Sequence, residues 1–161
     1  PRFTELLGAE MLRDLATYLE RSASENVAIL SISDLQSFNA GDIELRAPYG
    51  QGLVDMMVEL NLTEGELERL REELQSAASE QLQQLFTAGR LDVLLSINNR
   101  NAGLAALANF PALTIPMGYE DDGRPIGLTL IAPPFQEQVL VDVAAQFERM
   151  SQARVLPENY Q

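Results

Sequence analysis

The chain contains neither cysteine nor histidine among its 161 residues. Disulfide bonds and thiolate catalysis are therefore excluded. The usual zinc sites and any Ser–His or Cys–His relay are also excluded, because each requires a thiolate or an imidazole. A metal site built from carboxylates alone stays open, although no calcium-binding loop of spaced Asp, Asn and Gly residues occurs. We expect no metal and no cofactor, and a cytoplasmic location fits the absence of cysteine.

Positive charge is scarce as well. The 11 basic residues, all of them arginine, stand against 24 acidic residues and give a formal net charge of −13. Such acidity repels phosphate backbones and anionic membrane surfaces, so we expect no direct nucleic-acid partner and no membrane partner. No apolar run approaches the roughly 20 residues that span a bilayer, and no signal-peptide pattern opens the chain. The simplest role of the acidity is solubility.

The length suits one domain with a real core, and no linker, repeat or low-complexity tract divides the chain. We therefore predict a single domain, residues 1–161, without an internal boundary. The first residue is proline where an initiator methionine would stand, which suggests a processed or truncated start.

Helical patterns dominate the first part of the chain. An amphipathic helix is predicted over residues 4–21, and a short one begins at Ile32 with Ser33 as its cap. Thr63 and Glu66 form a capping-box pattern that begins the clearest helix, which ends near Gly89. Further helices are predicted over 102–108 and 136–150.

Strands alternate with helices in the second part. Residues 93–97, 113–115 and 126–131 are predicted strands, and 120–123 a hairpin turn. Pro111 and Pro116 restrict the middle strand to a sheet edge or a strand end. Gly127 indicates close approach of a neighbour. Three strands beside several helices predict α/β architecture, a β-sheet flanked by helices, with one face or edge left open for another element.

Seven segments, in order, resemble segments of the C-terminal third of amidase signature enzymes. They are residues 10–19, 33–39 (SDLQSFN), 49–51 (YGQ), 91–95 (LDVLL), 110–118 (FPALTIPMG), 123–128 (GRPIGL) and 135–140 (FQEQVL), the last followed by Phe147, Glu148 and Pro157. The resemblance implies the C-terminal part of the amidase signature fold, a mixed β-sheet flanked by helices. It also implies a relation to the A subunit of glutamyl-tRNA(Gln) amidotransferase.

Enzymes of that family hydrolyse carbon–nitrogen amide bonds with a nucleophilic serine, a bridging serine and a lysine. This sequence has no lysine, no Ser-Ser pair and no glycine followed by serine, so no catalytic residue can be assigned. Ser96, at a strand end, is the one serine near a plausible pocket, and a hydroxyl that bonds to local backbone is the favoured interpretation. We expect this segment to be inactive by itself and to pair with an N-terminal catalytic segment of the same family.

Because no catalytic residue can be assigned, substrate binding is the role that we predict for this chain. The loop Asn98, Asn99, Arg100 and Asn101 follows a strand end, where α/β proteins place binding groups. Asparagine amides donate and accept hydrogen bonds, and Arg100 could pair with a carboxylate of a small amide substrate. Turn-forming asparagines are an equally weighted interpretation. Tyr49 and Gln51 are further recognition candidates, with packing as the favoured role.

Two other functions stay open. One is a stand-alone, non-catalytic binding or assembly module whose uncovered sheet is buried by self-association. The other, the least favoured, is an unrelated enzyme that uses carboxylates.

Overall fold

The computed structural model describes residues 2–156. Its elements are α1 (Arg2–Ser22), α2 (Ile32–Ala40), α3 (Ile43–Arg46), α4 (Gly52–Glu59), α5 (Glu64–Gly89), β1 (Leu94–Ile97), α6 (Ala102–Ala108), β2 (Ala112–Tyr119), β3 (Pro125–Ile131) and α7 (Glu137–Ser151). The order confirms the α/β class, helices first and then strands interleaved with helices. Pro157, the last position of the family resemblance, lies outside the described residues.

The chain divides into two compact units, Pro1–Glu72 and Glu73–Gln161. The division falls inside the long helix α5. The single domain over residues 1–161 stays a prediction.

The first unit is helical. The side chains of Leu6, Ile32, Leu67 and Leu70 are buried in it. Gly8 of α1 allows close packing of α4, because a Cβ at this position would lie 2.8 Å from Cε of Met56. The absent side chain of Gly8 thus brings α1 and α4 together.

The caps of α2 and α5 follow the N-terminal capping rule, with one correction to the prediction. The α2 cap is Ser31, whose hydroxyl accepts a hydrogen bond from the Asp34 N–H; Ser33 lies inside the first turn. At α5, the Glu66 carboxylate accepts from the Thr63 N–H (2.9 Å) and hydroxyl (2.6 Å), which confirms the predicted capping box.

The second unit contains a three-stranded antiparallel sheet of order β1-β3-β2. Pro116 stands inside β2 rather than at its end, beside a register shift between Pro116 and Gly118. This is permitted because β2 is an edge strand, as the prolines predicted, and a missing N–H there breaks no ladder bond. The turn after β2 closes through the Gly123 N–H, which donates to the Glu120 carbonyl.

Helices cover both faces of this sheet. Leu130 points to one face, where α7 packs with Leu140 and Ala144. Ile131 points to the other face and packs with the second half of α5 and with α6. Consecutive residues of a strand point to opposite faces, so β3 is the centre of both hydrophobic clusters. Met150, at the end of α7, is exposed.

Among residues 2–156, no helix combines the length and the apolar character that a membrane crossing requires.

Candidate functional site

A row of three hydroxyl side chains crosses the sheet on the face of Ile131. The register pairs Ser96 of β1 with Thr129 of β3, and Thr129 with Thr114 of β2. Directly opposite residues of antiparallel strands share a face, so the three hydroxyls lie side by side. Thr129 is 2 % exposed and Ser96 is 7 % exposed, whereas Thr114 is open to solvent.

The hydroxyl row has a defined direction of donation. The Thr129 hydroxyl donates to the Asn98 carbonyl at 2.5 Å. It therefore has no hydrogen left for the Thr114 hydroxyl 2.7 Å away, and Thr114 must donate to Thr129. This chain of bonds ties the central strand to β2 on one side and to the end of β1 on the other.

The predicted binding loop, residues 98–101, begins where β1 ends, and Asn98 fixes its start. Asn98 adopts the left-handed conformation (φ 52°), which asparagine tolerates better than most residues. Its N–H donates to the Gly127 carbonyl at 2.8 Å, and its Oδ1 accepts from the Gly127 N–H at 2.7 Å. The Asn98 side chain is therefore committed to β3.

Asn101 fixes the other end of the loop. Its Nδ2 donates to the Ser96 hydroxyl at 3.0 Å. Ser96 thus bonds to a side chain rather than to local backbone, which corrects that interpretation of its hydroxyl. No lysine exists in the chain to act as a base for it.

Asn99 and Arg100 form the exposed tip of the loop. Their backbone closes two turns, through the Arg100 N–H to the Ile97 carbonyl and the Ala102 N–H to the Asn99 carbonyl. Neither side chain has a hydrogen bond or an ion pair within the described range 2–156. The four predicted residues therefore divide into two structural anchors and two side chains free to meet a ligand.

The sequence did not identify Thr114 and Thr129 as members of this site. Thr114 and Thr129 lie in segments that look like ordinary strands, and only the register reveals that they face each other. The signal that was available is Gly127: a Cβ there would lie 2.8 Å from Cγ2 of Thr114, which confirms the predicted close approach.

Within residues 2–156, no three acidic side chains cluster as metal ligands do. The site is a polar, uncharged anchor under an exposed arginine, an arrangement that can orient a carboxylate or an amide but holds no group placed to attack one.

The fold is similar to that of solved proteins. The chain is 30% identical to a solved amidase family protein from Bacillus anthracis, with a TM-score of 0.76 over 92% of this chain and 29% of that one. A peptide amidase from Stenotrophomonas maltophilia shares the fold with the same TM-score at 24% identity, over 96% of this chain and 34% of that one. The fold is therefore that of amidases.

Sequence relatives agree. A probable amidase of Arabidopsis thaliana is 24% identical over 153 residues, which are 93% of this chain and 29% of that protein. The A subunit of glutamyl-tRNA(Gln) amidotransferase from Syntrophobacter fumaroxidans is 42% identical over 45 residues, 28% of this chain and 9% of that protein. Its homologues are therefore amidases and amidotransferase A subunits, proteins of the amidase signature family. No family model matches this chain. The chain spans about 29% of the length of the plant relative.

Proposed function

We propose that this chain is the C-terminal structural and substrate-pocket segment of an amide hydrolase, and that it is inactive alone. The observation that carries the proposal is the loop 98–101. Asn98 and Asn101 fasten the loop to the sheet, and the tip holds Asn99 and Arg100 with their donors and acceptors unused by the described residues. A rigid base beneath a free polar tip is the arrangement of a recognition loop.

The missing chemistry supports the second half of the proposal. The family mechanism needs a lysine to take a proton from the serines, and this sequence has none. The alignments with solved amidases cover nearly the whole of this chain but only about a third of the length of each amidase. The nucleophile and its base then come from an N-terminal catalytic segment of the family, and the loop contributes binding of a small amide substrate.

Two experiments test this function. The first measures hydrolysis of a simple amide by the purified chain, for which we expect no turnover. Hydrolysis that a serine-acylating reagent abolishes would overturn the proposed inactivity.

The second experiment places this chain in the matching position of the Bacillus anthracis amidase family protein and compares two substrates, one with a carboxylate near the amide and one neutral. We expect Arg100→Ala to raise KM for the carboxylate substrate about tenfold, which corresponds to one lost charge-assisted hydrogen bond, and to leave the neutral substrate unchanged. Arg149→Ala, which removes an exposed arginine of α7, is the matched control. Equal KM values for wild type and Arg100→Ala would remove the loop from substrate binding.

A non-catalytic assembly module is the alternative function, and one observation favours it. Leu95 and Ile97 of the edge strand β1 are 60 % and 48 % exposed, because α7 packs against β2 and β3. Exposed apolar side chains on an unpaired edge strand are typical of a surface that another chain or segment covers.

A further inference from the structure

Helix α4 is apolar over most of its surface, yet it is not buried. Five of its eight residues are apolar, and none of the eight is buried. A helix of this composition in a globular protein normally covers its apolar side chains with another element. Helices α1 and α2 contact α4, but Leu53 at its beginning is still 64 % exposed. The rest of Pro1–Glu72 therefore covers the apolar surface of α4 only in part.

A groove of about 200 Å³ lies between α4 and α1. Gly8 is buried beneath it, and the missing side chain leaves room for Met56. On the α1 side, Leu7 and Met11 are four residues apart and so lie on one face of the helix. Both of these side chains line the groove, and both are about half exposed. Leu53 lines it on the α4 side, so the groove is apolar and open to solvent.

The size of the groove favours a large partner over a small molecule. Sites for small molecules have volumes of about 300–1,000 Å³, so this groove is better suited to a few apolar side chains that project from another chain. Leu53 also lines a neighbouring cleft of about 700 Å³, so the concave surface continues beyond the groove. Methionine side chains are flexible and polarizable, and grooves rich in methionine adapt to the apolar face of a helix.

The surroundings of the groove are acidic. Residues 1–72 carry 14 acidic and 6 basic side chains. Helix α4 contains Asp55 and Glu59 and no basic residue. On α1, Arg13 is already paired with the carboxylates of Asp14 (2.8 Å) and Glu64 (3.9 Å). The groove therefore lies in a field that attracts positive charge, and two copies that met groove to groove would repel each other.

We propose that the groove between α1 and α4 docks a basic amphipathic helix of a partner protein. Large apolar side chains of that helix enter the groove between Leu7, Met11 and Leu53. Its lysine or arginine side chains face the acidic surroundings, so burial of apolar surface provides affinity and charge selects the partner. This function goes beyond amide hydrolysis, and its residues belong to a different unit from the loop 98–101.

The test is an NMR titration of the full chain with ¹³C-labelled methionine methyl groups. The probe is a synthetic peptide of two Leu-Lys-Lys-Leu-Leu-Lys-Leu repeats, which places leucine on one face of a helix and lysine on the other. We expect saturable shifts of Met11, Met56 and Met57. Met150, exposed at the end of α7, is the internal control for non-specific adsorption and should not shift. The same peptide with glutamate in place of lysine should bind at least about tenfold more weakly.

Variants test whether the groove is the binding site. Leu53→Lys should weaken binding of the lysine peptide at least about tenfold, because it places a positive charge in the groove. Leu53 is mostly exposed, so the variant keeps the fold. Val141→Lys is the matched control, since it makes the same change at an exposed apolar position of α7, and it should bind as wild type does.

Four outcomes would overturn the proposal. They are the absence of saturation, equal affinity for the lysine and glutamate peptides, equal shifts of Met150 and the groove methionines, and unchanged binding by Leu53→Lys. Shifts of the groove methionines that depend on chain concentration without peptide would also overturn it, because a second copy would then be the occupant. No assay of amide hydrolysis enters this test, so its failure leaves the proposed function unaffected.

Discussion

Asn98 and Gly127 exchange two hydrogen bonds: the Asn98 N–H donates to the Gly127 carbonyl, and the Gly127 N–H donates to Oδ1 of Asn98. The second bond extends the pairing of β1 and β3 past the last residue of β1, with a side chain in place of a carbonyl. These two hydrogen bonds hold the start of the loop 98–101 against the sheet.

Asn98→Ala should destabilise the chain by about 2 kcal/mol, because the Gly127 N–H loses its acceptor and alanine is disfavoured at positive φ. Asn98→Asp keeps the acceptor and should cost less than half as much. Urea unfolding followed by circular dichroism measures both. Asn99→Ala, at the exposed tip, should stay within about 0.5 kcal/mol of wild type, and an equal loss in Asn98→Ala and Asn99→Ala would contradict the anchoring role.

Gly127→Ala should destabilise the chain by about 1–3 kcal/mol, since its Cβ would lie 2.8 Å from Cγ2 of Thr114. Thr114→Ser removes that methyl group and keeps the hydroxyl that donates to Thr129. In the double variant, most of the Gly127→Ala penalty should disappear. A double-mutant cycle of unfolding free energies measures the coupling, and strict additivity would show that the steric contact is not the cause.

The capping box of α5 should make part of the stability depend on pH. Hydrogen bonds from the Thr63 hydroxyl, and next from its N–H, lower the pKa of Glu66. A carboxyl whose folded pKa is lowered contributes stability above its unfolded pKa, about 4.3, and this contribution is lost as pH falls through the folded pKa. Glu66→Gln should therefore destabilise the chain at pH 7. It should have no effect at a pH below the folded pKa of Glu66, where the carboxyl is protonated.

The measurement is the unfolding free energy of wild type and Glu66→Gln between about pH 2 and pH 7. Gln83→Ala, at an exposed non-titrating position of the same helix, is the control and should show no such dependence. Thr63→Ala should cost about 1 kcal/mol at pH 7 through the lost cap. A Glu66→Gln penalty of the same size at every pH would contradict the assigned bonds.

Self-association through β1 is the prediction of the assembly alternative. If the exposed Leu95 and Ile97 are covered by a second copy, Leu95→Lys should shift the sedimentation coefficient to that of a monomer, because a charge would be buried in the contact. Val141→Lys, at an exposed apolar position of α7, should leave the distribution unchanged. A wild-type chain that sediments as a monomer at every concentration would remove this alternative.

Local signals predicted the helices and strands well, since periodicity and caps act within a few residues. The capping box at Thr63 and the hairpin turn at 120–123 depend on neighbours three residues apart. The prediction of Ser33 as a cap was wrong because serines stand at both 31 and 33, and only backbone geometry selects Ser31. The extent of β2 was underestimated, because an edge strand tolerates Pro116 within it.

By itself, the sequence determined which catalytic groups this chain lacks: it has no lysine, no histidine and no cysteine. It also carried the resemblance to amidase signature enzymes, through segments that keep their order. Only the tertiary structure decided which residues of the loop are anchors and which are free. Asn98 and Gly127 are 29 residues apart in sequence, and whether they bond depends on the register of β1 and β3. Local sequence does not encode that register.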